Sequence, residues 1–154
     1  MYLNTNDSRI VGALMTEYDY KTFFDDAPIA LLRTDIETGK FLMGNSFAAN
    51  ILGCRSVEEL LTKQSSDFYS PKIRNQLIRK LKKSGTLQDQ EVEMKLPNGN
   101  SIWIKMNLRI NCGGTCIECF MSDITELVEL RKKELIKMQS LSEKIDLKMA
   151  SLAS

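Results

Sequence analysis

Two consecutive stretches alternate strictly between apolar and polar residues, and this alternation limits the possible folds more than any other feature of the chain. Every second residue is Val, Met or Leu over 92–96, and Ile, Met or Leu over 102–110. A period of two places these side chains on one face of a strand. The Pro-Asn-Gly-Asn sequence at 97–100 is typical of a turn. The pattern therefore predicts an antiparallel hairpin with one buried face, continued through a turn at 111–114 by a third strand over 115–122.

Short strands and helices with clear capping signals precede this hairpin. Asn and Ser side chains accept hydrogen bonds from the first amides of a helix, glycine tolerates the left-handed conformation at its end, and proline suits its first turn. The predicted elements are strands at 30–35 and 41–43, a helix from Asn45 or Ser46 to Gly53 with Phe47, Ile51 and Leu52 inward, a helix from Ser56 through Leu61 with a Ser56–Glu59 capping box, and a helix from Ser70-Pro71 to about Lys83.

A small amphipathic helix is predicted ahead of these elements. Within residues 8–22 the apolar side chains follow a spacing of three and four, which gives one apolar stripe suited to a lid or a dimer contact. The predicted boundaries are 1–20 for this N-terminal helical cap, 21–124 for the core and 125–154 for a C-terminal helix.

The residues from 123 to 154 contain no proline or glycine and predict one long helix. A heptad seam runs along it, and six acids balance six bases. We expect a parallel dimeric coiled coil; the alternative is a helix that folds back on its own domain. The polar seam positions weaken the packing and mark places where its register can shift. The seam comprises Ile124, Val128, Arg131, Leu135, Met138, Ser142, Ile145, Met149 and Leu152.

The chain of 154 residues contains no histidine, which excludes several classes of active site. Ser/His/Asp and Cys/His nucleophile pairs, H-E-x-x-H zinc sites, histidine-ligated haem and a phosphorylated histidine all need this residue. Asp25-Asp26 and Glu58-Glu59 are adjacent acids, but chain neighbours seldom face one reacting atom, so each pair is better explained as a loop or a cap. The sequence therefore predicts no enzyme activity and no metal site.

Charge and hydropathy indicate a cytoplasmic protein without a nucleic-acid partner. The net charge is +1, and the longest uncharged stretch, 41–54, is fourteen residues, fewer than the roughly 20 that span a bilayer. Residues 1–20 lack the pattern of an export signal. The predicted helix at 71–83 carries six bases and no acid, which we interpret as a solvated face rather than a phosphate-binding surface: Lys72, Arg74, Arg79, Lys80, Lys82 and Lys83.

The order of these elements and four short motifs resemble the PAS family of small sensory domains. The motifs are residues 45–53, Ser56-Val57-Glu58-Glu59-Leu60, Leu96-Pro97-Asn98-Gly99 and Asp123-Ile124-Thr125-Glu126, and the resemblance covers about residues 21–126. It implies an α+β fold: a five-stranded antiparallel sheet with short helices on one face, flanked by the N-terminal helix and the C-terminal coiled-coil helix.

The resemblance also implies a sensory and dimerisation module of a cytoplasmic signalling protein such as a sensor kinase. A change in the domain would pass through Asp123, Ile124 and Thr125 to the coiled coil and to an output domain beyond residue 154. The expected partners are a second copy of the chain, the output domain and possible small molecules. The alternatives are a redox or iron–sulfur sensor and a protein-interaction domain with no ligand.

A ligand pocket between sheet and helices would be lined by large apolar side chains; the alternative is that they form an ordinary close-packed core. No cofactor is identified, because flavin photoreceptors of the family need a cysteine that residues 62–70 lack, and haem would need histidine. The pocket candidates are Phe41, Phe47, Ile51, Leu60, Phe68, Ile73, Leu77, Ile104, Met106 and Phe120.

Four cysteines leave a redox role open. In a reducing cytosol they are first interpreted as free thiols. Cys112, Cys116 and Cys119, with Cys54 as a possible fourth ligand, resemble an iron–sulfur or zinc set, but Cys116 and Cys119 would point to opposite faces of a strand. Cys112 and Cys116 flank a Gly-Gly turn, so a reversible disulfide is the better redox hypothesis.

Overall fold

The computed structural model describes residues 16–154, which contain five strands and five α-helices. Of the predicted N-terminal helix, residues 8–15 lie outside the described part. The elements are α1 (Glu17–Asp25), β1 (Ala30–Asp35), β2 (Phe41–Gly44), α2 (Ser46–Ile51), α3 (Val57–Leu60), α4 (Pro71–Ser84), β3 (Thr86–Lys95), β4 (Ser101–Asn111), β5 (Cys116–Asp123) and α5 (Thr125–Ala153), with 3₁₀ turns at Ser65–Asp67 and Cys112–Gly114.

All strands pair antiparallel in one sheet with the order β2-β1-β5-β4-β3. The long β3–β4 hairpin keeps the predicted register, with Val92 opposite Ile104. On the other side of β4, Met106 lies opposite Met121 of β5. Since paired residues share a face, the apolar residues of the three strands form one continuous surface. The predicted α+β fold with a five-stranded antiparallel sheet is confirmed.

The core lies between this apolar surface and the helices that cover it. Leu60 of α3, Leu81 of α4 and Ile104 of β4 are completely buried. Gly44 permits the close approach of α3, because a Cβ at this position would lie 2.4 Å from Leu60 Cδ2. The residues that alternate with the core positions form the outer face of the sheet.

Helix α4 begins and ends where its capping residues predict. The Ser70 hydroxyl accepts a hydrogen bond from the Ile73 amide at 3.3 Å, and Pro71 occupies the first turn. The helix ends at Gly85, which adopts a φ of 77° that favours glycine. Leu77 and Leu81 are buried against the sheet, as the four-residue spacing predicts.

Two predictions for α2 and α3 are wrong in detail. Phe47 does not point inward: it is 41% exposed, because α2 turns the small side chains Ala48 and Ala49 toward the core. Ser56 caps α3 by accepting from the Glu59 amide, but the Glu59 carboxylate accepts from the Arg55 amide at 2.8 Å instead of closing a capping box. Arg55 also pairs with that carboxylate through its side chain, which favours this partner.

Among residues 16–154, no helix combines the length and the apolar character needed to cross a membrane.

Candidate functional site

A small cavity lies in the core between the sheet and α4. It has a volume of about 40 Å³, and four of the predicted pocket residues line it: Phe41, Phe68, Leu77 and Met106. The rings of Phe41 and Phe68 stack at 5.6 Å between centroids. Since a buried water needs about 10–15 Å³, the cavity has room for about three water-sized groups.

The other pocket candidates are placed elsewhere. Leu60 and Ile104 are buried in the core without lining the cavity, and Ile51 and Ile73 are half-buried and pack against the core. Phe47 and Phe120 do not line this cavity. Phe47 faces outward on α2, and Phe120 is 44% exposed on the outer face because its neighbours in β5 occupy the inner positions.

One corner of the cavity is polar, which the sequence did not indicate. Ser65, Tyr69 and Arg74 line this corner together with Thr34. Arg74 Nη2 donates to the backbone carbonyls of Asp35 at 3.0 Å and Ile36 at 2.8 Å, so Arg74 does not belong to the solvated basic face predicted for its helix. The corner supplies hydrogen-bonding groups to an otherwise apolar space.

The Tyr69 hydroxyl and the Cys119 thiol at the cavity stay protonated at neutral pH. Burial raises the pKa of Tyr69 to about 12, and burial likewise raises the pKa of Cys119, which lines the cavity, to about 12. A protonated thiol is a poor nucleophile and a poor metal ligand. The cavity is therefore a small, mostly apolar space in which Ser65, Tyr69 and Arg74 supply hydrogen-bonding groups rather than a nucleophile.

The cysteines do not assemble into a cluster. Cys112 and Cys116 are joined by a disulfide, so the interpretation as free thiols is wrong for this pair; Cys54 and Cys119 are free and buried. Cys119 faces the core, whereas Cys116 occupies the opposite face of β5. In residues 16–154 no set of three or more metal-ligating side chains converges, which disfavours the iron–sulfur alternative.

The three predicted coupling residues join the last strand to α5. Asp123 Oδ1 accepts from the Thr125 amide at 2.9 Å and from the Thr125 hydroxyl at 2.6 Å. The Thr125 hydroxyl accepts from the Trp103 amide at 3.0 Å, and the Ile124 amide donates to the Trp103 carbonyl at 2.8 Å. Both backbone groups of Trp103 in β4 therefore hold the start of α5, a role that alternation alone did not reveal.

The first two turns of α5 pack on their own domain. Val128 is buried where α5 contacts β4. Arg131 Nη1 donates to both carboxylate oxygens of Glu91 in β3, at 2.8 and 3.0 Å, and the Lys132 ammonium lies 5.8 Å from the Trp103 ring centroid. The prediction that Val128 belongs to a dimer seam is wrong, because the same helix face meets the sheet first. Of the other apolar seam residues, Ile124 is buried as well, and five are exposed: Leu135, Met138, Ile145, Met149 and Leu152.

A charged cluster on the outer sheet face centres on Glu118 of β5. Its carboxylate accepts from Arg33 Nη2 at 2.6 Å, from Arg109 Nε at 3.0 Å and from Asn111 Nδ2 at 2.8 Å, and it also pairs with Arg109 Nη2. Hydrogen bonds from Arg109, then Arg33, lower the pKa of Glu118 to about 2. Alternation places Arg109 on an outward position of the predicted hairpin, but only the strand order brings Arg33 and Glu118 next to it.

Replacing Glu118 by Gln is expected to lower the free energy of unfolding at pH 7 by about 2 kcal/mol, because a charge-assisted cluster loses its only anion. The folded-state pKa lies below the ordinary value of 4.5. The stabilisation is therefore present above pH 4.5 and lost as the pH falls toward 2. Urea unfolding across this window should show a flatter pH dependence for Glu118→Gln. Glu93→Gln, an exposed change on β3, serves as the matched control; equal pH profiles for both variants would contradict the assignment.

Comparison with known proteins agrees with this geometry. A family model described as "PAS domain" matches residues 27–126. A PAS domain from Colwellia psychrerythraea is 20% identical with a TM-score of 0.62, covering 71% of this chain and 97% of its own. A PAS domain from a LuxR-family transcriptional regulator of Burkholderia thailandensis, in complex with ethanol, is 20% identical with a TM-score of 0.56, covering 69% and 97%.

A domain of a sensory box sensor histidine kinase/response regulator from Geobacter sulfurreducens is 16% identical, with a TM-score of 0.57 and coverage of 69% of this chain and 92% of its own. At these identities the structural likeness concerns the fold alone. No curated protein matches the sequence significantly. The family model spans well over half of the chain, and the five-stranded sheet and its helices have the corresponding architecture. The chain therefore belongs to the PAS domain family.

Proposed function

We propose that this PAS domain is the sensory and dimerisation module of a cytoplasmic signal-transduction protein. The state of the cavity would pass through Asp123, Ile124 and Thr125 to α5, and a pair of α5 helices would carry it to an output domain of the full-length protein. A sensor kinase is the output that we favour, since structural neighbours include domains of sensor histidine kinases. The domain itself would perform no catalysis and bind no nucleic acid.

The observation that carries this proposal is the double role of β4. Met106 and Leu108 of this strand line the cavity. Trp103, three residues earlier in the same strand, binds the start of α5 through both of its backbone groups. A shift of β4 that accommodates a ligand would therefore move the helix start directly, because no flexible segment separates the two contacts.

The ligand that best fits the cavity is a neutral molecule of a few non-hydrogen atoms. The apolar lining favours a short carbon skeleton, and the Ser65, Tyr69 and Arg74 corner favours a hydroxyl or carbonyl group. The PAS domain from Burkholderia thailandensis was solved in complex with ethanol, a molecule of this size. The small volume also supports a second candidate function, a protein-interaction domain that dimerises without a ligand.

The exposed stripe on α5 supports dimerisation by pairing of this helix. Beyond Arg131 the helix makes no contact that buries its apolar side chains within residues 16–154, and Leu135, Met138, Ile145, Met149 and Leu152 remain accessible. Residues three and four apart lie on one side of a helix, so these five form a seam. A second copy of α5 presents the same surface and the same balanced charges, which makes it a complementary partner.

Native mass spectrometry of the freshly purified chain tests both parts of the proposal. We expect a dimer at micromolar concentration, and a mass increment of a small organic molecule identifies ligand sensing. A dimer without any increment, also after incubation with short-chain alcohols and ketones, favours the interaction domain. A monomer at high concentration, with the chain folded, contradicts dimerisation in either form.

A further inference from the structure

We propose that Cys112 and Cys116 form a reversible thiol–disulfide site whose redox state is transmitted to the Glu118 cluster through Asn111. The two cysteines flank the turn between β4 and β5, with Cα atoms 5.5 Å apart. This inference concerns the outer face of the sheet and does not depend on dimerisation or on a ligand in the cavity.

The two sulfurs differ in access, which defines how the disulfide reacts. Cys112 lies exposed at the tip of the turn, whereas Cys116 is only 1% exposed. An incoming thiolate can therefore reach the Cys112 sulfur, and Cys116 is the leaving group. Cys54 and Cys119 are buried and their pKa values are raised by burial, so neither competes as the attacking thiol.

The exchange balances with two equivalents of a low-molecular-weight thiol or one dithiol protein. The first thiolate attacks Cys112 Sγ; the Cys112–Cys116 bond breaks, a mixed disulfide forms, and the Cys116 sulfur takes the electron pair and then a proton. A second thiol attacks the external sulfur of the mixed disulfide and releases the Cys112 thiol. The protein disulfide gains two electrons and two protons, and the two external thiols become a disulfide.

The turn holds the backbone of Cys112 in a left-handed conformation that is unfavourable for a residue other than glycine. Cys112 has a φ of 55°, and Gly113 and Gly114 follow with 64° and 93°. A residue with a Cβ is disfavoured in this left-handed region. The disulfide ties Cys112 to the rigid strand β5, and the Cys112 carbonyl accepts from the Thr115 hydroxyl at 2.8 Å. Reduction removes the covalent tie and leaves weaker bonds to hold the turn.

Asn111 connects the turn to the charged cluster. Its Oδ1 accepts from the Cys112 amide at 2.9 Å, and its Nδ2 donates to Glu118 Oε1 at 2.8 Å. If Cys112 relaxes, the Asn111 side chain loses the bond that orients it, and Glu118 loses one of its three donor residues. Reduction of the disulfide therefore weakens the hydrogen bonding of Glu118 on the outer face of the sheet.

The test measures thiols and backbone exchange on the same 154-residue chain. In glutathione buffers of increasing reducing power, we expect a two-electron transition between the disulfide and two thiols, with Cys112 alkylated first. Amide hydrogen exchange over residues 109–118 should rise several-fold on reduction. Cys112→Ser/Cys116→Ser should exchange like the reduced chain under all conditions.

Asn111→Ala separates the relay from the disulfide itself. It should keep the redox transition, but reduction should no longer raise exchange beyond the turn at 112–115. The proposal is overturned if oxidised glutathione leaves Cys112 and Cys116 as thiols, or if reduction leaves exchange over 109–118 unchanged. If the double serine variant does not fold, hydrogen exchange of the reduced and alkylated wild-type chain provides the same comparison with the oxidised chain.

Discussion

Replacing Asn45 by alanine is expected to lower the free energy of unfolding by about 3–5 kcal/mol. The side chain is completely buried and makes four hydrogen bonds. Its Oδ1 accepts from the amides of Leu31 at 3.2 Å and Ala48 at 3.0 Å, and its Nδ2 donates to the carbonyls of Phe24 at 3.1 Å and Ile29 at 2.8 Å.

This one amide joins the end of α1, the segment before β1, β1 itself and the first turn of α2. Alanine removes the helix cap and leaves two backbone amides and two carbonyls without this partner in the protein interior. Each buried group without a partner costs about 1–3 kcal/mol, and the losses are not additive because the chain relaxes. The effect therefore exceeds the roughly 1 kcal/mol of an ordinary cap.

Urea denaturation of Asn45→Ala, Asn45→Asp and Asn50→Ala provides the measurement. Asn50 lies exposed on the same helix, so Asn50→Ala should change stability by less than about 0.5 kcal/mol. Asn45→Asp keeps both accepting bonds but sets an oxygen against two carbonyls, so it separates the cap from the connection to α1. A loss below about 1 kcal/mol for Asn45→Ala would show that the four bonds contribute little net stability.

The contacts of Asn45 illustrate which parts of this structure the sequence predicts. The role of Asn45 as a helix cap follows from residue type and position, because the amide that donates to its side chain, that of Ala48, lies only three residues later in the chain. Its donations to Phe24 and Ile29 depend on where α1 and the segment before β1 pack, which no local pattern specifies. The strands and caps were predictable for the same reason: period and capping are properties of short stretches.

The sequence predicted less well which face of a helix is buried. Phe47 was expected in the core, but a helix as short as α2 shows too few turns to define one apolar side, and close packing on β1 selects Ala48 and Ala49 instead. The polar corner of the cavity was missed because Ser65 and Arg74 come from separate segments that meet only through the tertiary fold.

Heptad spacing has a related limit. It identifies the apolar side of α5 but does not distinguish a partner helix from the sheet of the same chain. Val128 and Arg131 belong to that side and are already engaged by β4 and by Glu91 of β3. Arg131 was predicted as a polar position that weakens the seam, but its side chain pairs with Glu91 of the same domain. A seam between two copies is therefore expected to begin after Arg131.

Replacing Met138 by Glu is expected to weaken dimerisation of the chain by at least about 100-fold, equivalent to roughly 2.7 kcal/mol. Met138 lies in the N-terminal half of the exposed part of the seam. A carboxylate there must be desolvated against apolar side chains of the partner helix, and in a parallel pair it also faces its own copy. Ile145→Glu, one heptad later on the same side, should have a similar effect.

Sedimentation equilibrium of these variants distinguishes association through the seam from non-specific hydrophobic association. Helix α5 itself provides the control positions. Ile136 and Leu147 are as exposed as Met138 and Ile145, but at 100° per residue each lies about 160° around the helix from its seam counterpart. Ile136→Glu and Leu147→Glu introduce the same charge on the opposite side and should leave the dimer intact. Equal weakening by all four variants would contradict a defined seam. A helix that folded back on its own domain would instead make the seam variants lower the unfolding free energy of a monomer, which the same urea experiments detect.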